Sequence, residues 1–272
     1  MKVGAALAQA RALGLDRLDA QLLLSHTLQQ PRAWLIAHDD AALTPAQQQA
    51  FSAACSRRAG GEPMAYLLGE REFHGLKLQV SPAVLVPRPD TETLVDWALE
   101  LLDEADAPQV ADLGTGSGAI ALALKHQHPA ACVCAVDFSA EALEVAKANA
   151  ARLGLALEFV QGDWWQPLQG RRFHLVVSNP PYIADDDPHL DALRHEPALA
   201  LTPGGDGLAA LARIVRDAPA HLQGGGWLLL EHGHDQHAAV QQLLTEAGFV
   251  AVDTRADLAG RPRCSGGRLS PR

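Results

Sequence analysis

The residues of this sequence best suited to chemistry are Ser178-Asn179-Pro180-Pro181-Tyr182. Two consecutive prolines fix an extended turn and remove two backbone donors. The carbonyls of Asn179 and Pro180 are then free to face outward as acceptors. The Asn179 side-chain carbonyl adds another, Pro181 holds the turn, and Tyr182 supplies an aromatic wall. Such a set fits a planar NH2 on an sp2 carbon, as in a carboxamide or the exocyclic amine of adenine or cytosine. Acceptors on its N–H groups aim the nitrogen lone pair at an electrophile and stabilise the positive charge that develops on attack. The motif offers no strong base, so the chemistry that suits it is an in-line methyl transfer in which positioning does most of the work. The bland alternative is a structural turn after a strand.

Three upstream elements have the makings of a site for the methyl donor. Asp112-Leu113-Gly114-Thr115-Gly116-Ser117-Gly118 closes one apolar run and opens a helix, so its glycines permit a tight turn and its helix N-terminus offers free N–H groups. Gly114, Gly116 and Ala119 also match the G-x-G-x-x-A nicotinamide pattern, which by itself supports an adenine cofactor and no more. Asp137 ends the next apolar run, where a carboxylate can accept from a ribose diol. Its competing role is an N-cap, which Ser139 can equally fill. Gly162-Asp163-Trp164 follows a further run: Asp163 can accept from the exocyclic amine of adenine, and the Trp164 indole can pack on the base. Trp165 beside it is expected to be packing. In this order the three elements suit a mononucleoside cofactor laid across adjacent strand ends.

Those positions require strands to hold them. Val110–Leu113, Cys132–Val136, Leu157–Val160, Phe173–Ser178, Gly226–Glu231 and Val250–Thr254 read as strands. They alternate with amphipathic helices over Ala119–His126, Ala140–Leu153, about Leu208–Leu222 and about Gln236–Ala247. That alternation predicts an α/β fold with a doubly wound, mostly parallel, Rossmann-like sheet, whose ligands sit at the carboxyl ends of the strands. Residues 1–65 read instead as a small all-helical domain. Val3, Ala6, Leu7 and Ala10 recur at helical spacing, Leu18, Leu22 and Leu28 share a face, and Thr44-Pro45 starts a helix that runs to about Ala59. Residues 66–90 read as a β-hairpin linker, with strands at Leu76–Val80 and Val84–Val86 and a turn at Ser81-Pro82. A helix from about Thr91 to Glu104 opens the third segment, 91–272.

Composition narrows the function. The 22 Lys plus Arg against 32 Asp plus Glu give a formal net charge of -10, whereas phosphate neutralisation dominates nucleic-acid affinity. No nucleic-acid partner is therefore expected. The four cysteines form no C-x-x-C pair and read as reduced thiols. No apolar run approaches a membrane span, so a cytoplasmic protein is expected. His232-Gly233-His234 with His237 invites a metal reading, but nothing nearby completes a tetrahedral set, and no metal is expected.

Beyond these motifs, nearly the whole chain resembles the bacterial peptide-chain release factor glutamine methyltransferases. The resemblance is carried by Pro63-Met64-Ala65-Tyr66-Leu67-Leu68-Gly69, Phe73-His74-Gly75, and Val84-Leu85-Val86-Pro87-Arg88-Pro89-Asp90-Thr91-Glu92. It continues through Asp112 to Ile120, Asn179 to Ile183, His195-Glu196-Pro197, Gly204 to Leu208 and Asp257 to Arg261. It implies S-adenosyl-L-methionine as methyl donor and the glutamine of a Gly-Gly-Gln loop in release factors as acceptor. By the same resemblance Gly114, Thr115, Gly116, Ser117, Gly118, Asp137, Trp164 and Asn179 hold the cofactor, and Asn179, Pro180, Pro181 and Tyr182 hold the amide. The rivals are a glutamine methyltransferase of a ribosomal protein, an adenine-N6 methyltransferase, which needs a basic track and aromatics for an extruded base, and a non-catalytic adaptor. Two features stand apart. Arg88 and Glu92 either shape the mouth of the site or form a helix-start salt bridge, and Pro262 and Cys264 sit where a family member has a more ordinary last strand.

Overall fold

Hydrophobic spacing at the start of the chain becomes five short helices in the computed structural model, which describes residues 1–102 and 106–271. They are α1 (Val3–Ala12), α2 (Arg17–Leu28), α3 (Arg32–Ala37), α4 (Pro45–Ala59) and α5 (Met64–Leu68). Their starts are written in the sequence. Asp16 caps α2 by accepting from the Asp19 N–H at 2.7 Å. Thr44 and Gln47 form a reciprocal capping box ahead of Pro45. Val3, Ala6, Leu23, Leu24, Leu35, Phe51 and Cys55 bury together as their core. The face of α2 differs from expectation: Leu18 is 48% exposed, while Ala20, Gln21, Leu23 and Leu24 are buried. The chain divides into two compact units, Met1–Glu70 and Arg71–Arg272.

The hairpin also differs. It consists of β1 (Glu70–Phe73) and β2 (Leu76–Gln79), so the turn is His74-Gly75, with φ of 48° and 76°. Two consecutive left-handed residues are what a two-residue hairpin needs to match strand twist. Ser81-Pro82 does turn, with the Val84 N–H reaching the Ser81 carbonyl at 3.0 Å, but the strand expected at Val84–Val86 is not among the strands of the described residues. A 3-10 turn at Pro89–Thr91 leads into α6 (Glu92–Leu102). The expected helix end at Glu104 lies outside the described residues.

The larger sheet is built from β3 (Gln109–Leu113), β4 (Cys132–Asp137), β5 (Glu158–Gln161), β6 (Phe173–Ser178), β7 (Leu222–Glu231), β8 (Phe249–Ala256) and β9 (Pro262–Leu269). Between them lie α7 (Ala119–Gln127), α8 (Ala140–Leu153), α9 (Ala198–Leu201), α10 (Ala209–Asp217) and α11 (His237–Glu246). The strand order is β5-β4-β3-β6-β7-β9-β8, parallel except where β9 runs antiparallel to both neighbours. The order reverses between β3 and β6, and a crevice at the carboxyl ends of those strands is where ligands of such sheets bind. Alternate residues feed two cores. Val110, Val133, Ala135 and Leu175 pack with α6 and α7. Ala111, Leu113, Cys134, Val136 and Val176 pack with α10 and α11.

Two boundaries move. The helix expected to reach Leu222 stops at Asp217, because Pro219 forces a 3-10 turn over Ala218–Ala220, and Leu222 already belongs to β7. The doubtful tail is a full strand, β9, seated between β7 and β8. Its Gly-Gly pair explains why: a Cβ on Gly266 would lie 2.4 Å from the buried Leu229 side chain, so this interior strand fits because side chains are missing there.

Candidate active site

The loop after β3 is shaped from both ends. The buried Asp112 carboxylate accepts from the Thr115 hydroxyl at 2.6 Å and from the Ala121 N–H at 3.2 Å through one oxygen. Among the described residues its other oxygen has no hydrogen-bond partner, and burial raises the group to about 7. Gly114 has φ 73°, and a Cβ there would come within 3.1 Å of the Trp164 ring. Glycine is thus needed both for the turn and for the close approach of that indole. Asp137 closes the loop by accepting from the Gly116 N–H at 2.8 Å and the Ser139 N–H at 2.9 Å. Ser139 in turn caps α8 through the Ala142 N–H at 3.1 Å, so capping is not the task of Asp137. Burial shifts Asp137 upward, and its backbone donors oppose that shift.

These residues line one cavity of about 730 Å³, which includes Gly114, Thr115, Gly116, Ser117, Asp137, Asp163, Trp164, Asn179 and Pro181. Gly118 lies at the start of α7 outside the lining, and its N–H goes to the Thr115 carbonyl at 2.8 Å. Trp164 takes a left-handed conformation, φ 51°. Trp165 is buried, stacks on His221 at 4.7 Å between ring centres, and donates to the Ile214 carbonyl. The Asp163 carboxylate is also engaged by Arg213 at 2.7 Å, so an amine ligand there shares it with a guanidinium.

On the β6 side, the Ser178 hydroxyl donates to the Leu113 carbonyl at 2.6 Å and ties the ends of β3 and β6 together. Asn179 follows, and its Nδ2 donates to Thr91 Oγ1 at 3.3 Å. That leaves the side-chain carbonyl as the remaining polar atom of the group. Pro180 is buried and Pro181 half-buried. Neither Pro180 nor Tyr182 lines the large cavity. Tyr182 walls a smaller one of about 230 Å³ that also touches Asn179, Arg88 and Glu231. The Tyr182 hydroxyl donates to Glu231 Oε1 at 3.1 Å.

Sequence similarity decides what this arrangement belongs to. The chain is 53% identical over 266 residues to the release factor glutamine methyltransferase of Xylella fastidiosa (strain Temecula1), covering 97% of each chain. It is 52% identical over 259 residues to that of Bordetella pertussis, covering 94% of this chain and 96% of the relative. The chain belongs to the release factor glutamine methyltransferases. It is therefore an enzyme, a methyltransferase acting on protein glutamine. Residues 2–69 match the family described as the PrmC N-terminal domain, and residues 91–208 match the methyltransferase small domain. A methyltransferase from Pyrococcus furiosus superposes with a TM-score of 0.54 at 17% identity, over 72% of this chain and 90% of that one, and shows the shared fold.

Within this methyltransferase the Pro-Arg-Pro segment is held by a residue that spacing alone did not single out. The buried Glu196 carboxylate accepts from the Val86 N–H at 3.0 Å and pairs with the Arg88 guanidinium. Glu92 instead accepts from the His74 N–H at 3.0 Å, so the helix-start pairing of Arg88 with Glu92 gives way to two separate anchors. Thr91 and Glu231, which border Asn179, likewise carried no chemical signal of their own. Each read as part of an element, and only the fold brings Thr91 to Asn179 and Glu231 to Tyr182. His232 bonds the Ser265 hydroxyl at 2.7 Å and the Gly233 carbonyl at 2.8 Å. Among the described residues no His, Cys, Asp and Glu cluster is placed to hold a metal, and no helix is long and apolar enough to cross a membrane.

Proposed function

We propose that the chain methylates the side-chain amide nitrogen of the glutamine in the Gly-Gly-Gln loop of peptide-chain release factors, using S-adenosyl-L-methionine. The observation that carries this is Asn179, placed at the strand-order switch on the wall of a large cavity with its NH2 already committed to Thr91. The cavity suits the donor. Its volume lies in the range of small-molecule sites, Trp164 offers a flat apolar wall, and Asp137 a half-buried carboxylate. When bound, the donor supplies an electrophilic methyl group.

The protein's own part is positioning. The glycine loop and Asp137 hold the cofactor, with Asp163 and Trp164 toward its base. The Asn179 side-chain carbonyl and the backbone carbonyls of Asn179 and Pro180 accept from the substrate amide, orient its nitrogen and stabilise its developing charge. Pro181 keeps the turn rigid. Tyr182 supports the motif through Glu231, and burial drives the Tyr182 hydroxyl so far above the ordinary phenol range that it stays protonated. Residues 1–65 select the protein substrate, and the segment 66–90 links that selection to the chemistry of 91–272.

Incubating the protein with recombinant release factor and labelled donor, then mapping the modified peptide, tests the reading. Label on the Gly-Gly-Gln glutamine is expected, and Asn179→Ala should reduce its rate by about two orders of magnitude. Label on a ribosomal protein instead, on an adenine, or nowhere despite donor binding would replace this reading with one of its rivals.

A further inference from the structure

Proline fixes φ but leaves ψ free, and Pro180 and Pro181 bring no N–H with which to tie the backbone down. The aim of the carbonyls that meet the substrate therefore depends on what holds the two ends of the turn. The upstream end is held by the Ser178 hydroxyl on the Leu113 carbonyl and by the Asn179 NH2 on Thr91. At the downstream end the Tyr182 and Ile183 N–H groups both reach the Leu201 carbonyl, at 3.2 and 2.9 Å. The Tyr182 carbonyl itself accepts from Gln236 Nε2 at 2.9 Å.

Gln236 stands just before α11 and is half-buried. Its Oε1 accepts from the Gly233 N–H at 2.9 Å, while its own N–H returns to the Gly233 carbonyl at 2.9 Å. The carboxamide thus lies between a backbone N–H, which can only donate, and a backbone carbonyl, which can only accept. Turned over, it would set NH2 against N–H and oxygen against oxygen, so the partners themselves fix its orientation. The fold also makes room for the contact. A Cβ on Gly207 would lie 2.2 Å from the Tyr182 carbonyl oxygen and 2.9 Å from Gln236 Nε2, so the buried backbone of Gly207 passes where a side chain would part the pair. The His232-Gly233-His234 segment is the seat of this residue: the His232 ring bonds the Gly233 carbonyl at 2.8 Å, and Gly233 carries both backbone bonds to Gln236.

We infer that Gln236 is a positioning residue for methyl transfer: its NH2 grips the Tyr182 carbonyl and so sets the tilt of the Asn179-Pro180-Pro181 backbone, whose carbonyls receive the substrate amide. This rests on the role proposed above for that turn. Gln236 lines neither of the two cavities, so it acts through Tyr182 and not on the reacting groups. A small misplacement of those groups costs heavily in rate. Loosening the downstream end of the turn should therefore appear in turnover and not in donor binding, because the glycine loop and Asp137 belong to the ends of β3 and β4. The competing role, a cap that only steadies the start of α11, needs the Oε1 arm alone.

The experiment compares wild type, Gln236→Glu and Gln236→Met in the full chain. It measures kcat and KM on release factor, donor affinity by calorimetry, and thermal unfolding, at about pH 8, where the introduced carboxyl is ionised. Gln236→Glu keeps an acceptor for the Gly233 N–H, and a carboxylate suits a helix start, but it sets oxygen against the Tyr182 carbonyl. Gln236→Met loses both arms. Expected for Gln236→Glu are an unfolding midpoint close to wild type, donor affinity and KM each within about threefold, and kcat down by about tenfold or more. Gln236→Met should lose kcat comparably and unfold earlier. Gln236→Glu at wild-type kcat overturns the inference and leaves Gln236 a helix cap. A fall in kcat with an equal loss of donor affinity overturns it too, since the residue would then act on the donor site. If Gln236→Glu does not fold, Gln236→Met decides: wild-type kcat overturns the inference, and a lower kcat with donor affinity retained supports it. An inactive wild type, or an active Asn179→Ala, would instead sink the underlying reading of the site.

Discussion

The anchor of the Pro-Arg-Pro segment makes a prediction in which burial, not charge, decides the outcome. Glu196 and Arg88 form one ion pair, but the glutamate side chain is 2% exposed and the arginine 38%. Removing each partner therefore leaves a different orphan. In Glu196→Ala, Arg88 can turn to water, and the main loss is the acceptor of the Val86 N–H on a residue only 4% exposed. An unsatisfied buried donor costs about 1–3 kcal/mol. In Arg88→Ala the carboxylate stays buried with the Val86 N–H as its remaining donor, and an uncompensated buried charge costs about 3–5 kcal/mol. The lower end applies, because an arginine this exposed is already partly screened. For a unit of this size each kcal/mol lowers Tm by about 2–4 °C, giving about 6–12 °C for Arg88→Ala and, at about 2 kcal/mol in the middle of its range, about 4–8 °C for Glu196→Ala. The double variant should be more stable than Arg88→Ala alone, since it removes the stranded charge. Urea unfolding without cofactor, with m-values compared to confirm one transition, measures all three. The reasoning is refuted if Glu196→Ala is the more damaging single change, or if the double variant is no more stable than Arg88→Ala.

Other expectations follow from the same geometry. Asp137→Ala should weaken donor binding by about 1.5–3 kcal/mol for each charge-assisted bond lost; an unchanged dissociation constant by calorimetry would show that Asp137 serves only the loop. Gly266→Ala should destabilise the sheet by about 1–3 kcal/mol, because its Cβ would overlap Leu229; a wild-type Tm would mean β9 shifts freely. Removing residues 1–65 should leave donor affinity nearly intact and abolish turnover on whole release factor, and equal turnover of the two forms would rule out a recognition role.

What could be read from the sequence was whatever a single element declares. Phe173–Ser178 and Ala140–Leu153 were legible to the residue, since each has a clear period and, for the helix, Ser139 and Gly154 at its ends. The glycine loop, Asp137 and Asn179 were visible because strand ends in such a sheet converge. The misreadings share a cause: pattern was weighed above backbone geometry or tertiary fit. The hairpin turn expected at Ser81-Pro82 lies at His74-Gly75, whose left-handed dihedrals make it. Leu18 has the chemistry of a core residue, but lies off the face that Leu23 and Leu24 bury. The pairing of Asp163 with Arg213, fifty positions on, had no sign in the local sequence. Glu196 and Glu231 were silent for a deeper reason, since a buried carboxylate is defined by partners that only the fold supplies, here Val86 and Arg88 for one and Tyr182 for the other.

The place of β9 bears on how this enzyme comes into being. β7 and β8 do not pair with each other; each pairs with β9. The sheet therefore cannot be finished strand by strand in chain order. β8 and β9 are joined by the short turn that Asp257 organises with the Ala259 and Arg261 N–H groups, and local hairpins close fast. The pair should form first and dock as one piece on β7, in a slower step because that contact spans a longer loop. Docking sets Cys264 opposite Glu231. During refolding, a pocket already able to quench Trp164 with donor should thus precede the ability to turn over, and the interval between the two would time the arrival of the hairpin.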